Sequence, residues 1–283
     1  MLVAVREGDP CVLTIWDSRA LPMGPFEPGH RSLQAGLRAW VERQTHHPLG
    51  YVEQLYTFAD HDRTASAGQH VISISYLGLT RESRAAEVEG AWRSWYHFMP
   101  WEDHRAGPPA LIAAQLVPRL RQWAAGSAAR EQRVAWTFGL NGQDWNEELA
   151  LHRYQLLYEA ALVPERPGVA DAVPGAAMLF DHRRILATAI ARLRAKIKYR
   201  PVVFELMPPT FTLLQLQRCV EAIAGRLVHK QNFRRLIEQQ ELVEETGETT
   251  HETGGRPAKL FRFRREVLAE RAIGGTKLPL VRT

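Results

Sequence analysis

The stretch "TLLQLQRCVEAIAGRLVHKQNFRRLIEQQ", residues 212–240, consists of two helix-forming segments separated by a short turn. Thr212 is a favourable N-cap for the first segment, and Gly225 is a favourable residue to end it. The apolar residues of the first segment recur at helical spacing, as Leu213, Leu216, Val220 and Ile223. In the second segment Phe233, Leu236 and Ile237 are predicted to face inward. The pattern is typical of a helix-turn-helix.

A predicted β-hairpin follows directly in "LVEETGETTHETGGRPAKLFRFRR", residues 242–265. Two strand-like pieces, around 242–244 and 258–264, flank a polar loop that ends in Gly254 and Gly255. A helix-turn-helix followed by such a hairpin predicts a winged helix. Winged helices also serve as protein-interaction modules, so DNA binding rests on the chemistry of the exposed face.

The outward face of the second helix and the wing is predicted to be basic. Arg234 and Arg235 are placed to make bidentate contacts with guanine edges, while Gln231 and Asn232 suit adenine edges or phosphates. Lys230, Arg256 and Lys259 suit phosphates. The predicted DNA-contacting set is Thr212, Lys230, Gln231, Asn232, Arg234, Arg235, Arg256, Lys259 and Arg262. The distribution of charge along the chain also favours DNA binding, because the formal net charge of +5 divides into −4 for residues 1–180 and +9 for 181–283. Such segregation favours a polyanionic partner.

The composition predicts a cytoplasmic protein with two cores. A length of 283 residues suits two domains. The two cysteines, Cys11 and Cys219, lie far apart in sequence, so neither a disulfide framework nor a cysteine zinc site is indicated. The sequence has no signal peptide pattern and no run of 18 uncharged apolar residues. No membrane association is expected.

The N-terminal part alternates strand and helix patterns. "PCVLTIW" (10–16) and "QHVISISYLGL" (69–79) are strand-like, and between them apolar residues from Leu33 to Val41 follow helical spacing. The predicted order is strand, loop, helix, strand, strand. The tryptophan-rich region 85–174 is predicted to contain helices at 108–126 and 146–162 around a strand-like "RVAWTFGL" (133–140). "MLFDHRRILATAIARLRAKIKYR" (178–200) then indicates a strand end and a long basic helix.

The stretch "GPFEPGHRSLQAGLRAWVER", residues 24–43, has the spacing of a metal-binding loop and helix without the required charges. Diphosphate hydrolysis needs clustered carboxylates to hold divalent cations, and a helix supplies them at i, i+3 and i+4. Here these positions are Ala39, Glu42 and Arg43, whose summed charge is zero. No catalytic residue and no metal ligand are therefore predicted. The adjacent His46 and His47 do not suggest a metal pair either.

This stretch resembles the box of the Nudix family, G-x5-E-x7-R-E-U-x-E-E. The glycine, the arginine, the apolar position and one glutamate match, at Gly24, Arg38, Trp40 and Glu42. His30, Ala39 and Arg43 replace the other three glutamates. The resemblance implies the Nudix α/β/α sandwich but neither its metal site nor its hydrolase activity. Arg38, Glu42, Glu53 and Gln54 are predicted to line a ligand pocket.

Two further stretches are similar to Nudix-related transcriptional regulators of NAD metabolism, the NrtR family. They are residues 50–80, which look like the strands after the box, and 179–264, which look like the linker helix and C-terminal domain. The resemblance implies an α+β protein with a Nudix-like sensing domain (1–181), a linker helix (182–200) and a winged helix-turn-helix domain (201–283). It further implies a homodimeric repressor of NAD biosynthesis or salvage genes that binds a double-stranded DNA operator. The expected effector is ADP-ribose or a related NAD metabolite, with no bound cofactor.

Two alternatives remain open from the sequence. One is an active Nudix-type hydrolase of ADP-ribose-like nucleoside diphosphates, and the other is a protein-interaction adaptor built on the tryptophan-rich region. That region, about 85–174, is a longer insertion than such regulators usually carry. It is expected to form a pocket wall, a dimer interface or a docking surface. Its aromatic residues Trp92, Trp95, Tyr96 and Trp101 are assigned to core or interface in preference to capping an adenine ring.

Overall fold

The computed structural model describes residues 1–25, 27, 29–45, 51–58, 72–81, 90–199, 202–251, 257–264 and 266. The first elements are β1 (Leu2–Arg6), β2 (Asp9–Ile15), α1 (Leu33–Thr45), β3 (Tyr51–Phe58), β4 (Ser73–Leu79) and β5 (Gly90–Ser94). A helical segment follows, with α2 (Trp95–Phe98), α3 (Val117–Ala124), α4 (Ala128–Phe138), α5 (Ala150–Glu159) and the long α6 (His182–Tyr199). The last elements are α7 (Leu213–Ala224), α8 (Lys230–Gln239), β6 (Val243–Thr250) and β7 (Ala258–Phe263).

The N-terminal strands form one mixed sheet with helices on both faces. Its strand order is β3-β4-β1-β2-β5, and among the described pairs only β1 with β4 is parallel. Leu2 and Leu13 point to the face covered by Val41 of α1. Val3 and Val12, one position away on each strand, point to the main core on the opposite face. The alternation produces three layers, which confirms the predicted α/β/α sandwich; β1 was not anticipated.

The tryptophan-rich region is an integral part of this domain. β5 pairs along its whole length with β2 and completes the sheet. Trp95 and Trp101 are fully buried, and the described helices of the region contribute side chains to the main core. Among the six tryptophans from position 92 to 145, only Trp136 is exposed, at 55%. The assignment of these aromatic residues to the core is confirmed.

Two predicted strands in this part of the chain are wrong. "RVAWTFGL" lies mostly in α4, where Ser127 caps the start and Gly139 ends the helix in the left-handed conformation. Its β-branched and aromatic residues favoured a strand locally, but burial at Val134 and Phe138 follows helical spacing. The segment before α6 forms no strand either. Its amide at Leu179 donates a hydrogen bond to the carbonyl of Arg19.

The C-terminal elements form the winged helix that the sequence predicts. Thr212 and Gln215 form a reciprocal capping box at the start of α7, and Gly225 ends this helix with φ 71°. β6 and β7 pair antiparallel as the wing. A short bridge between Phe211 and Phe261 attaches the wing to the segment before α7.

A buried carboxylate joins three parts of the chain. Glu102 accepts hydrogen bonds from Arg153 of α5, at 2.6 and 2.9 Å, and from Arg194 of α6, at 2.5 Å. All three side chains are completely buried. Burial raises the pKa of Glu102, but the charges and hydrogen bonds of the two guanidiniums outweigh it, so the pKa lies below its ordinary value. The carboxylate is therefore ionised at neutral pH.

Cys11 and Cys219 are buried free thiols, and burial raises the pKa of Cys219 to about 12. Within the described residues, no helix has both the length and the apolar character needed to cross a membrane.

We expect Glu102→Gln to lower the free energy of unfolding by about 3–5 kcal/mol, because Arg153 and Arg194 would remain buried without their counter-charge. Urea unfolding at pH 7 measures the effect. Glu131→Gln, on an exposed position of α4, is the control and should change stability by less than about 0.5 kcal/mol.

The effect of Glu102→Gln should also depend on pH. Because folding lowers the pKa of Glu102, the contribution of this carboxylate to the free energy of unfolding is present above the unfolded pKa, about 4.3, and is lost as the pH falls through the folded value. The difference between the two proteins should therefore shrink below about pH 4. Equal unfolding midpoints at pH 7 would contradict this prediction.

Candidate functional site

Helix α8 presents a largely polar and basic surface. It packs inward through Phe233 and Ile237, which are 7% exposed each. Leu236, which the sequence predicted to face inward, is 48% exposed, so that prediction is wrong. The side chains on its other faces include the exposed residues Lys230, Gln231, Asn232, Arg234 and Arg235. Among the described residues, none of the three cations in this set forms an ion pair. Three uncompensated charges on one exposed helix are suited to a polyanion.

Thr212 has a different position from the other predicted DNA contacts. It is 2% exposed, and its hydroxyl accepts the Gln215 amide in the capping box. Its backbone amide donates in turn to the side chain of Gln215. These groups are used inside the protein, so Thr212 is a helix cap and we leave it out of the proposed DNA-contacting set.

The described cations of the wing are paired with acids. Arg262 lies opposite Glu244 in the strand register, and their side chains are 2.6 Å apart. Lys259 contacts Glu245 at 2.8 Å. All four side chains are solvent-exposed, so these pairs are screened and easily exchanged. The sequence predicted a partly basic wing; among the described residues, the wing cations Lys259 and Arg262 are paired, whereas Lys230, Arg234 and Arg235 of α8 are not. Arg256, another predicted contact, lies outside the described residues.

A large cleft lies between the sheet and the helices of the N-terminal domain. It has a volume of about 1150 Å³, slightly above the range of about 300–1,000 Å³ that is usual for small-molecule sites. Its walls come from the segment 21–25, α1, β4, α5 and the start of α6. The aromatic side chains that line it are Trp40, Tyr76, Tyr154, Tyr158 and Phe180, and its ionisable groups include Glu159, Glu165, Asp181, His182 and Arg184.

The predicted pocket residues lie outside the lining of this cleft. Arg38 and Glu42 are on α1, and Glu42 is exposed. Glu53 on β3 accepts hydrogen bonds from Tyr51 and Lys196, so it joins the sheet to α6. Gln54 is exposed on the same strand. The assignment of these four residues to a ligand site stays a prediction.

The sequence did not identify the residues that do line the cleft. One wall is α5, which belongs to the tryptophan-rich region. Of the three roles considered for that region, the structure thus shows one, a wall of the cleft. Phe180 and Arg184 come from the start of α6. These segments are more than 70 residues away from β4 in the chain, and no local pattern indicates that they meet.

The degenerate box carries opposite charges in close proximity. Glu27 lies 3.7 Å from His30 and 3.5 Å from Arg43, which occupy two of the positions where the Nudix pattern has glutamates. Over the described part of the chain, no three His, Cys, Asp or Glu side chains are grouped so that they would hold a metal ion.

Helix α6 reaches from the cleft to the winged helix. His182, Arg184 and Ile185 line the cleft near its start. Near its other end Arg194 donates to the carbonyl of Ile223, at the last turn of α7, over 2.9 Å. At the helical rise of 1.5 Å per residue, Arg184 and Arg194 are about 15 Å apart along the axis.

The end of α7 is held by two further hydrogen bonds from the N-terminal domain. The hydroxyl of Tyr96 donates to the carbonyl of Ala222 at 2.6 Å, and the amide of His104 donates to the carbonyl of Gly225 at 2.7 Å. The last carbonyls of a helix lack partners within it. Here the N-terminal domain supplies those partners, which fixes the position of α7.

A charged cluster around the buried carboxylate of Glu147 makes a second connection in the same place. Glu147 contacts Lys198 of α6 at 2.8 Å and Arg226, just after α7, at 3.4 Å. Lys198 also contacts Glu148 at 2.6 Å. One carboxylate therefore links the end of α6 to the winged helix.

Comparison with known proteins agrees with the description of both the N-terminal domain and the winged helix. Residues 203–263 match the family model described as the NrtR DNA-binding winged helix domain. An 86-residue stretch is 43% identical to the "ADPR responsive transcriptional repressor NtrR" of Acinetobacter baylyi, covering 30% of this chain and 34% of that protein. The similarity thus spans about a third of that relative's length.

Solved structures extend the likeness to nearly the whole chain. The structure of Shewanella oneidensis NrtR complexed with a 27mer DNA superposes with a TM-score of 0.58 at 18% identity, over 95% of this chain and 93% of that one. A MutT/nudix family protein from Enterococcus faecalis superposes with a TM-score of 0.54 at 18% identity, over 93% and 85%. These values establish the fold. The chain therefore has the fold of these structures, a Nudix-like α+β domain followed by a winged helix, and its residues 203–263 match the model of the NrtR DNA-binding winged helix domain.

Proposed function

We propose that this protein is a transcriptional repressor that binds double-stranded DNA through α8 and responds to ADP-ribose or a related NAD metabolite in the cleft of its Nudix-like domain. The observation that carries the proposal is the position of α6. Its first turn lines the cleft, and Arg194 near its other end holds α7 of the winged helix. A single rigid element thus contacts both the candidate effector site and the DNA-reading domain.

The charges of α8 support the DNA-binding half. Its exposed Lys230, Arg234 and Arg235 are suited to phosphate oxygens and guanine edges, and Gln231 and Asn232 to adenine edges. The recognition helix of a helix-turn-helix inserts into the major groove with its N-terminal residues against the bases. These five residues lie within the first two turns of α8. Homodimerisation on a palindromic operator belongs to the same proposal.

The cleft and the name of the relative support the effector half. ADP-ribose is consistent with a cleft of this volume, with aromatic walls for its ring systems and Arg184 for its phosphates. The Acinetobacter relative is described as ADPR-responsive and as a repressor. NAD biosynthesis or salvage genes are the proposed targets.

The proposed regulation requires the effector to bind two arrangements of the protein with different affinity. A shift of α6 at its cleft end would be carried to the carbonyl end of α7 by Arg194. The relative orientation of the two winged helix domains in the proposed dimer would then change. Residues 182–200 form the proposed linker, which would adopt two positions, between a ligand-sensing domain at 1–181 and a DNA-binding domain at 201–283.

We propose further that the protein is not a hydrolase. Ala39 and Arg43 supply no carboxylate to the box helix, and the exposed Glu42 is the one acid there that matches the Nudix pattern. Magnesium-dependent turnover of ADP-ribose that is abolished by Glu42→Gln would overturn this part. An adaptor role for the tryptophan-rich region has little support, because among its six tryptophans from position 92 to 145 only Trp136 is exposed.

The decisive experiment is selection of genomic DNA fragments by the purified protein, with and without ADP-ribose. We expect enrichment of a palindromic site near NAD-metabolism genes and a change in its occupancy when ADP-ribose is added. Arg234→Ala serves as the control in which a guanine contact is lost, at a cost of about 1–3 kcal/mol at one position of the site. No enrichment in either condition would refute the repressor proposal. Sedimentation of the protein on the selected site tests the dimer.

Neutralising the acids of the wing should strengthen DNA binding. In Glu244→Gln with Glu245→Gln, Arg262 and Lys259 lose their intramolecular partners and become available to phosphates. We expect a several-fold higher affinity at low salt. The log–log salt slope should become steeper by up to about 2, because each added phosphate contact contributes about 0.9. Fluorescence anisotropy with the selected duplex measures both, with Glu131→Gln as the matched neutralisation. An unchanged slope would place these cations away from DNA.

Removing the charge of Glu147 should weaken the coupling between cleft and DNA. Glu147→Gln breaks the contacts to Lys198 and Arg226 but leaves the cleft lining and α8 unaltered. We expect the ratio of DNA affinities with and without ADP-ribose to change by about 0.5–2 kcal/mol, or roughly 2- to 30-fold. Titration of the duplex at zero and saturating ADP-ribose gives the ratio, and Glu131→Gln should leave it at the wild-type value. The same ratio in both proteins would show that the cluster does not transmit the signal.

A further inference from the structure

Phe180 occupies an unusual position at the edge of the cleft. Its backbone has φ 54°, in the left-handed region, and its side chain is 67% exposed while lining the cleft. Bulky residues seldom adopt this conformation, and it persists only where the surrounding structure imposes it. A large apolar side chain held in a costly conformation and left open to a cleft is a candidate for ligand contact.

The flanking residues fix this conformation. On one side the amide of Leu179 donates to the carbonyl of Arg19 at 2.7 Å. On the other side His182 is buried, and its Nδ1 accepts the amide of Leu21 at 3.0 Å. The ring of Phe180 lies edge-on to His182, with 5.6 Å between centroids. The chain is thus anchored on both sides, and the exposed ring is presented at the start of α6.

Two acidic residues that line the same cleft suit the base of a nucleotide, whereas Arg184 suits its phosphates. Tyr158 lines the same cleft and offers a second aromatic surface. Asp181 follows Phe180 directly in the chain, and Glu159 follows Tyr158; both line the cleft. Carboxylates accept hydrogen bonds from ring and exocyclic N–H groups, whereas they repel phosphate oxygens.

We propose that Phe180 is the ring-stacking residue of the cleft, which receives the planar heteroaromatic base of a nucleotide effector against its exposed face. The inference rests on the proposed function of the cleft and adds which part of the effector is recognised, and by which residue. It also places the base beside the first residue of α6, so that stacking acts directly on the start of the linker helix.

Trp16 provides a matched control within the same chain. It also has φ 54°, and its side chain is 51% exposed, but it does not line the cleft. Replacing Trp16 removes an exposed aromatic residue from an equally strained backbone without touching the candidate site. A second control, Phe180→Gly, removes the ring while accepting the left-handed backbone.

Isothermal titration of the full chain with ADP-ribose, adenosine and ribose 5-phosphate tests the proposal. Stacking of one base is worth a factor of about 5 to 150 in affinity when the aromatic residue is truncated. We expect Phe180→Ala and Phe180→Leu to lower the affinity for ADP-ribose and adenosine by a factor within that range. Their affinity for ribose 5-phosphate should stay within about twofold of the wild-type value. Phe180→Trp should retain binding of all three probes. Trp16→Ala should bind all three probes as the wild type does. Phe180→Gly should melt no lower than Phe180→Ala and should lose the same affinity, which separates loss of the ring from loss of folding.

The outcomes that contradict the inference are distinct from those that contradict the proposed function. If the wild type binds ADP-ribose and Phe180→Ala or Phe180→Leu binds it equally well, stacking on Phe180 is refuted while the effector role of the cleft stands. An equal loss for ribose 5-phosphate and ADP-ribose would also refute it, because the base would not be the part recognised. If the wild type binds none of the probes, the effector half of the proposed function fails and the inference fails with it.

Discussion

The interaction on which the arrangement of the helices depends is the buried pair of ion contacts at Glu102. A carboxylate without water needs partners that supply both charge and hydrogen bonds, and here two fully buried guanidiniums provide them. Arg153 comes from α5 and Arg194 from α6, so the requirement can be met only when both helices are in place. Such a cluster need not add net stability compared with apolar residues of the same size. Its effect is to exclude other arrangements, because a displacement of α5 relative to α6 leaves a buried charge unpaired.

The same cluster determines how the winged helix is attached. Arg194 uses one edge of its guanidinium for Glu102 and Nε for the carbonyl of Ile223. Gly225 then passes so close that a Cβ there would lie 2.4 Å from the carbonyl oxygen of Glu102 and 2.6 Å from Arg194, and its φ of 71° also favours glycine. The winged helix is therefore held through the end of α7. Among the described residues, no hydrogen bond or ion pair joins α8 to the N-terminal domain, and its cations stay exposed.

The parts of the structure that depend on neighbours in sequence were predictable. The caps and apolar stripe of α7, the inward Phe233 and Ile237 of α8, and the outward cations of α8 all follow from short spacings, and they led to the correct winged helix; Leu236, also predicted to face inward, is exposed. The cluster at Glu102 was not predictable, because its partners are 51 and 92 residues away in the chain. The cleft was missed for the same reason, since its walls come from segments that are far apart. Local signals were also misleading in α4, where β-branched and aromatic residues suggested a strand until capping and burial decided otherwise.

These constraints limit how a signal can travel through the protein. Helix α5 contributes Tyr154 and Tyr158 to the cleft and Arg153 to the buried cluster, and α6 contributes His182 and Arg184 to the cleft and Arg194 to the same cluster. The two helices that line the cleft on this side, α5 and α6, are thus joined by the carboxylate of Glu102. A ligand that separated α5 from α6 at that level would have to break the cluster, at a cost of several kcal/mol. We therefore infer that a response that keeps the cluster intact moves α5, α6 and the winged helix together as a rigid unit, and that in the proposed dimer this movement changes the geometry between the two protomers.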